Sequence, residues 1–271
     1  MRKTILAAAA AFAVAAGASQ TSAADLDFAP APAPPPFVPT WAGFYIGGHV
    51  GYGETKFDFR QDLDFFDSTG AAVGSNTFRS SVSPDGLVGG IQGGYNWQVN
   101  SLVFGIEGDI SFTDWGQGTT VFDSDVDGVS GLFGTDSAVG TASGDFDFLA
   151  SVRGRVGYAF DSVLVYGTGG VAWADADARA TIVVDDAGSE TTATGKGDLD
   201  DIGAVAGAGL AWMVIPQTFS VGVEGLYYWF KDSTTLIDET ALPYANGTMD
   251  VRATAELHDT WMVRARADFH F

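Results

Sequence analysis

The 271 residues contain no cysteine, which excludes a disulfide framework, a cysteine-based zinc site and a cysteine nucleophile. No apolar run reaches the roughly 20 residues that a helix needs to cross a bilayer, so helical membrane spanning is excluded too. Helical periodicity is nowhere sustained. Basic residues are scarce, 13 Lys and Arg against 34 Asp and Glu, for a formal net charge of -21. That balance argues against nucleic acid or an anionic membrane surface as a partner, since both attract basic patches. The three histidines, His49, His258 and His270, are dispersed. No serine–histidine–carboxylate set falls on neighbouring strands, so neither enzymatic activity nor a cofactor is expected.

The N-terminus has three successive characters: basic Arg2 and Lys3, an alanine-rich apolar run from Ile5 to Ala16, and small residues through Ala23 and Ala24. This is the layout of a secretory signal peptide (1–23) cleaved after Ala23 or Ala24. Residues 24–40 include Ala29-Pro-Ala-Pro-Ala-Pro-Pro-Pro36, a semi-rigid extended segment read as a periplasmic linker. The folded domain is expected over 41–271.

From Trp41 onward the dominant signal is alternation with period 2, which places every second side chain on one face of a strand. Strands are expected over 43–52, 87–99, 102–113, 145–160, 163–174, 202–215, 219–230 and 257–271. In the third, Phe104, Ile106, Ile110 and Phe112 oppose Glu107, Asp109, Ser111 and Thr113. In the last, Trp261, Val263, Ala265, Ala267, Phe269 and Phe271 oppose Thr260, Arg264, Arg266, Asp268 and His270. The strand at 163–174 is apolar or glycine nearly throughout, and its faces cannot be told apart. Short turns at 100–101, 161–162 and 216–217 alternate strictly with long segments at 60–84, 116–143, 175–201 and 231–256. Two-residue turns on one side and long loops on the other are the arrangement of outer-membrane barrels.

A soluble β-sandwich would also alternate. Two aromatic sets oppose that reading: Tyr95, Trp97, Phe104, Tyr158, Phe160 and Phe219 near the short turns, and Phe112, Trp115, Phe146, Tyr227, Trp229 and Trp261 near the long segments. They form two interfacial girdles. The polar faces carry unlike charges on adjacent strands, which a barrel lumen can hold paired and a dry sandwich core cannot solvate. The fold class expected is therefore all-β: an eight-stranded antiparallel up-and-down transmembrane β-barrel with short periplasmic turns and four long extracellular loops, in the cell outer membrane.

Four segments carry a resemblance: Trp41-Ala-Gly-Phe-Tyr-Ile-Gly-Gly-His-Val-Gly-Tyr-Gly53, Tyr166-Gly-Thr-Gly-Gly170, Val223-Glu-Gly-Leu-Tyr-Tyr228 and Arg266-Ala-Asp-Phe-His-Phe271. Over 41–271 the chain resembles the small outer-membrane β-barrel proteins of alphaproteobacteria, a group that includes major surface antigens, haemin-binding and porin-like members. The resemblance implies an eight-stranded barrel and fixes no activity. It also makes Phe269 and Phe271 part of an assembly signal read by the barrel assembly machinery. The partners it implies are outer-membrane lipid and lipopolysaccharide, that machinery and periplasmic chaperones. The oligomeric state stays open.

The most informative constellation is the set of lumen charges, Glu107 and Asp109 facing Arg153 and Arg155, and Glu224 facing Arg264 and Arg266. Eight strands leave room inside mainly for side chains, so these pairs are expected to plug the barrel. Asp123-Ser-Asp-Val-Asp-Gly128 matches the first half of a calcium loop, but Gly134 stands where the twelfth-position carboxylate belongs, and an acidic solvated loop is expected. The sequence thus reads as a structural surface protein contributing to envelope integrity. A narrow passive channel, or haemin or host-surface binding through the loops, are the alternatives.

Overall fold

A computed structural model describes residues 40–115, 118–125, 137–186, 189–230, 232–244 and 247–271. The signal peptide, the linker up to residue 39 and the second half of the calcium-like loop lie outside them. The described chain is all-β, in eleven strands: β1 (Gly43–Asp67), β2 (Ala72–Val82), β3 (Asp85–Val99), β4 (Leu102–Trp115), β5 (Gly118–Asp125), β6 (Ser137–Phe160), β7 (Val163–Asp186), β8 (Ser189–Ile215), β9 (Phe219–Trp229), β10 (Asp232–Tyr244) and β11 (Gly247–His270). Eight of them pair antiparallel in the order β1-β3-β4-β6-β7-β8-β9-β11, and β11 pairs back onto β1 from Tyr45 opposite His270 to Asp67 opposite Gly247. The ladder therefore closes, and below the outer girdle no backbone edge is left to face lipid.

The short turns carry Asn100, Asp161 and Gln217 at φ of 54°, 50° and 57°. Asn and Asp tolerate this left-handed region because their short polar side chains hydrogen-bond locally.

The long segments differ from the sequence expectation. Most of 60–84, 175–201 and 231–256, and the described parts of 116–143, are strand rather than loop. β1, β6, β7, β8 and β11 simply run on. The other three staves are interrupted and resume, β3 in β2, β4 in β5 and β9 in β10. Beyond the interruptions two four-stranded ladders remain, β2-β1-β11-β10 and β5-β6-β7-β8.

β1 explains why the barrel can continue. Its odd-numbered side chains point inward from Tyr45 to Phe65 and its even-numbered ones outward, with no slip along the strand. Up to Tyr52 the outward set is Phe44, Ile46, Val50 and Tyr52; beyond it comes Glu54, Lys56, Asp58, Arg60, Asp62 and Asp64. The inward set changes in the opposite sense, from Tyr45, Gly47, His49, Gly51 and Gly53 to Phe57, Phe59, Leu63 and Phe65. β7 repeats the exchange, outward from Val171 and Trp173 to Asp175, Asp177 and Arg179, inward from Tyr166 and Thr168 to Ala172, Ala174, Ala176, Ala178, Ala180 and Ile182. The apolar side is outside where the surroundings are hydrocarbon and inside where they are water. The boundary lies near Tyr52 and Trp173. From Val163 to Trp173, strand steps of about 3.3 Å at a tilt of about 40° give an apolar band ~25 Å tall, the height such barrels need.

Above that boundary the interior is packed like a soluble core. The β1–β11 side contributes bulk, through Phe57, Phe59, Leu63, Met249 and Val251, and the β6–β7–β8 side contributes alanine and glycine. A Cβ on Gly144 would lie 2.8 Å from the Phe57 ring, so glycine there is what lets the ring seat. Full burial of a Phe or Leu side chain contributes about 1.5–3 kcal/mol, so this core stabilises the extracellular staves without lipid. Two bulges near the boundary reset the alternation of the partner strand and leave β1 and β7 in phase, one on β11 between Leu257 and Thr260 and one on β6 between Phe146 and Phe148.

Of the expected outer girdle, Phe112, Tyr227, Trp229 and Trp261 face outward, joined by Tyr52 and Trp173. Trp115 does not belong to it. Its odd number on β4 puts it on the inward face with Glu107 and Asp109, and it is buried in the core. The Phe146 side chain lies outside the described set. At the other end Trp97, Phe104, Tyr158 and Phe160 are exposed as expected, while Phe219 and Tyr95 are half-buried.

Candidate functional site

The interior of the membrane-spanning section is polar because the inward positions of β1, β3, β4, β6, β9 and β11 carry His49, Gln92, Glu107, Asp109, Ser111, Ser151, Arg153, Arg155, Glu224, Arg264, Arg266 and Asp268, all buried. Strand register brings some of them together directly: Glu107 lies opposite Arg153, and Glu224 opposite Arg264. The rest meet across the lumen, which adjacency of strands does not reveal.

Arg153 holds Glu107 in a short ion pair, Asp109 at 2.8 Å and Glu224 at 3.2 Å. The last is within ion-pair distance without hydrogen-bond geometry. Arg264 donates from Nε to Glu224 at 2.8 Å and from Nη1 to Asp109 at 3.2 Å. Arg266 bonds Glu107 at 2.6 Å, and Arg155 pairs with the same carboxylate at 2.5 Å. The two sets expected from sequence, Glu107 and Asp109 with Arg153 and Arg155, and Glu224 with Arg264 and Arg266, thus form one network.

Asp268, which sequence reasoning placed on the polar face but left out of the charge set, completes the network by binding Arg266 at 2.9 Å from two positions along the same strand. Four guanidinium groups then meet four carboxylates, Glu107, Asp109, Glu224 and Asp268, so the buried charge is balanced. Balance matters here, since an unpaired buried ion costs several kcal/mol.

Aromatic and neutral groups fill the remaining volume. The Arg155 guanidinium sits over Tyr166 at 4.1 Å from the ring centre and 5.4 Å from that of Tyr45, whose hydroxyl donates to Glu107 at 2.7 Å. Gln92 donates to Asp268 at 2.7 Å, which turns its carbonyl oxygen toward His49 Nδ1, also at 2.7 Å, and makes that nitrogen the donor. His49 Nε2 lies 2.9 Å from the Ser111 hydroxyl.

Both ends of this polar layer are covered by apolar side chains. Trp41, Val103, Ala159, Leu164, Ala211 and Met213 pack together on the side of the short turns, with the Trp41 amide donating to Gln98 at 2.7 Å. On the other side Val88, Leu149, Leu226, Tyr228 and Met262 join the extracellular core. β7 acquires definite faces as a result, with Leu164, Tyr166 and Thr168 inward and Val163, Val165, Val171 and Trp173 outward.

The structure adds contacts that the sequence did not show. Serine and histidine do meet in pairs, Ser111 with His49 and, on the neighbouring strands β9 and β11, Ser220 with His270 at 2.9 Å. Alternation already placed all four on inward faces, but only the closed register brings each pair into contact. His49 Nδ1 is held by an amide rather than a carboxylate, and both serines are buried, so no substrate reaches either hydroxyl. His258 stands apart on the outer face of the extracellular section, 2.9 Å from Asp58. The first residues of the calcium-like loop, Asp123-Ser-Asp125, end strand β5. Among the described residues no group of three or more His, Asp or Glu side chains is placed to hold a metal ion.

No family model matches the chain. It is 38% identical over 136 residues to the 31 kDa outer-membrane immunogenic protein of Brucella melitensis biotype 1, a match covering 49% of this chain and 50% of that protein. It is 29% identical over 136 residues to the 22 kDa outer membrane protein of Rhizobium leguminosarum bv. viciae, covering 50% and 45%. The chain therefore spans about half the length of the curated relatives it matches. Among solved structures, the Pseudomonas aeruginosa outer membrane protein OprG aligns at a TM-score of 0.43 with 14% identity, over 85% of this chain and 97% of that one. Neisserial surface protein A aligns at 0.34 with 16% identity, over 85% and 98%. The chain is an outer-membrane β-barrel protein, similar over half its length to the outer-membrane immunogenic proteins of Brucella.

Proposed function

We propose that this protein is a non-conducting structural anchor: a plugged barrel that fixes a rigid, acidic, β-built platform at the cell surface and contributes to envelope integrity without catalysing a reaction. The observation that carries this reading is the layering of the interior, a charge-balanced ion network between two apolar layers. Ion conduction needs a continuous polar path, and strand number leaves an eight-stranded lumen only wide enough for side chains. Here the side chains are interlocked ion pairs. Conductance of the purified, refolded protein in a planar bilayer at high salt tests it, beside a large general porin. Baseline current is expected; steady porin-sized openings from the monomer would replace the anchor reading with the passive channel.

A further inference from the structure

Among the described residues, the buried polar atoms that lack a hydrogen-bond partner are not spread evenly. Those of Arg153, Arg264 and Glu224 belong to groups already held in the ion network. Outside the extracellular core, the rest gather at the short-turn end of the lumen: Trp41 Nε1, both side-chain polar atoms of Asn96, Arg155 Nε and His270 Nδ1. Folded proteins match buried donors and acceptors with protein groups or with bound water, because leaving them unmatched forfeits their hydration.

Strand register leaves room beside these atoms. Asn96 lies between Gly43 of β1 and Gly105 of β4, so neither neighbour has a side chain. It leans over Gly105, where a Cβ would lie 2.3 Å from its Oδ1, and Arg155 stands opposite Gly105 on the other side. Toward the membrane centre Tyr45 and His270 are register partners. Trp41 closes the space from the short-turn side, its ring edge-on to that of His270 with centroids 5.8 Å apart.

The two covers of the polar layer are held in different ways. Val88, Leu149, Leu226 and Met262 sit within paired strands, and none can move away without breaking a ladder. Trp41 precedes the ladder, which begins at Gly43. Gly43 has a φ of 126°, a conformation open to glycine and strained for other residues, and it joins Trp41 to β1 through Ala42 alone. Gln98 Oε1 accepts from the Trp41 amide at 2.7 Å and from the Thr40 hydroxyl at 3.5 Å, while Gln98 Nε2 donates to the Asn100 carbonyl at 2.8 Å. Packing and this one side chain hold the cover down. Segments tied so lightly are the ones that open locally while the ladders stay intact.

We propose that Trp41 is a lid on a glycine hinge, latched by Gln98, over a dead-end vestibule that takes water and small neutral polar solutes from the periplasm. Neutral solutes suit it because the neighbouring ions are already balanced, and because the unmatched atoms include both donors and an acceptor. The vestibule stays shut toward the cell surface, where the ion network and the apolar layer beyond it follow.

The test uses the lack of native cysteine. Single cysteines in the refolded protein are alkylated with iodoacetamide, a small neutral polar reagent, in detergent micelles that leave both ends of the barrel open to water, and the intact chain is weighed. Asn96→Cys, in the vestibule, is expected to react in the folded state, and Leu226→Cys, in the far apolar layer, to stay unmodified. Gln98→Ala is expected to speed the reaction at Asn96→Cys about fivefold, the equivalent of one hydrogen bond's net contribution. Trp41→Ala should speed it at least as much. Ser220→Cys, beside His270, takes the place of Asn96→Cys should that variant not reach the heat-modifiable folded form. No reaction at the vestibule in any background, or a rate unchanged by Gln98→Ala or by Trp41→Ala, would overturn the lid. Modification of Leu226→Cys in the folded protein would overturn the dead end.

Discussion

Arg153 is the strongest single point at which to challenge the lumen network. Its side chain has no solvent exposure and faces three carboxylates, Glu107, Asp109 and Glu224, which are equally buried. At an effective dielectric near 20, a pair about 3 Å apart gains roughly 5 kcal/mol of Coulomb energy, offset by the desolvation of both ions. Arg153→Met removes the guanidinium while keeping its stem and leaves three arginines for four carboxylates. Breaking a buried pair from one side costs about 3–5 kcal/mol, and that is the expected loss. Glu224→Gln in the same chain restores the balance, so the double variant is expected to recover about half of it. The assay is urea unfolding in lipid vesicles, read by heat-modifiable gel mobility, as a double-mutant cycle. Strict additivity of the two substitutions would refute the network, as would a loss below about 1 kcal/mol for Arg153→Met, the value of an exposed, hydrated pair.

Three further expectations follow from the same geometry. Gly144→Ala should destabilise the extracellular section by about 1–3 kcal/mol, because its methyl group meets the Phe57 ring, and Phe57→Leu should relieve it; proteolysis of the surface section on intact vesicles reads both. Deleting Phe271, whose amide donates to the Phe44 carbonyl at 2.9 Å, should lower the amount of protein in the outer-membrane fraction, as an assembly signal for the barrel machinery requires; unchanged, heat-modifiable protein there would count against it. Glu107→Gln and Arg153→Met should also couple, since the two residues are opposite each other on β4 and β6, and the same vesicle unfolding assay measures that coupling.

The staves within lipid were legible because lipid outside and charge inside make alternation of high contrast, as in Phe104 to Thr113. The extracellular staves alternate just as regularly, but in low contrast. In Asp175-Ala-Asp-Ala-Arg-Ala180 the inward residue is alanine and the outward one polar, so the segment reads as a solvated loop. What identifies it as strand is the bulky sheet opposite, with Phe57 and Phe59, and a single stretch of sequence does not contain that partner. Asp268 went unassigned for a related reason: its arginine is on its own strand, whereas pairing was sought between neighbours. Trp115 was placed by height alone, although its odd position beside Glu107 and Asp109 already put it inside.

The central claim, clearest in β1 and β7, is that a stave keeps one inward face throughout while its outward face passes from hydrocarbon to water. The absence of cysteine makes a direct measurement clean: single cysteines along β1, from 44 to 64, each carrying a nitroxide, with collision rates measured against oxygen and against a polar nickel chelate in vesicles. Even positions up to 52 should favour oxygen and those from 56 onward the chelate, with the crossover beside Tyr52, while odd positions should be shielded from both along the whole strand. Chelate access at positions 57, 59 or 63, or oxygen preference persisting at 58 to 62, would contradict the account.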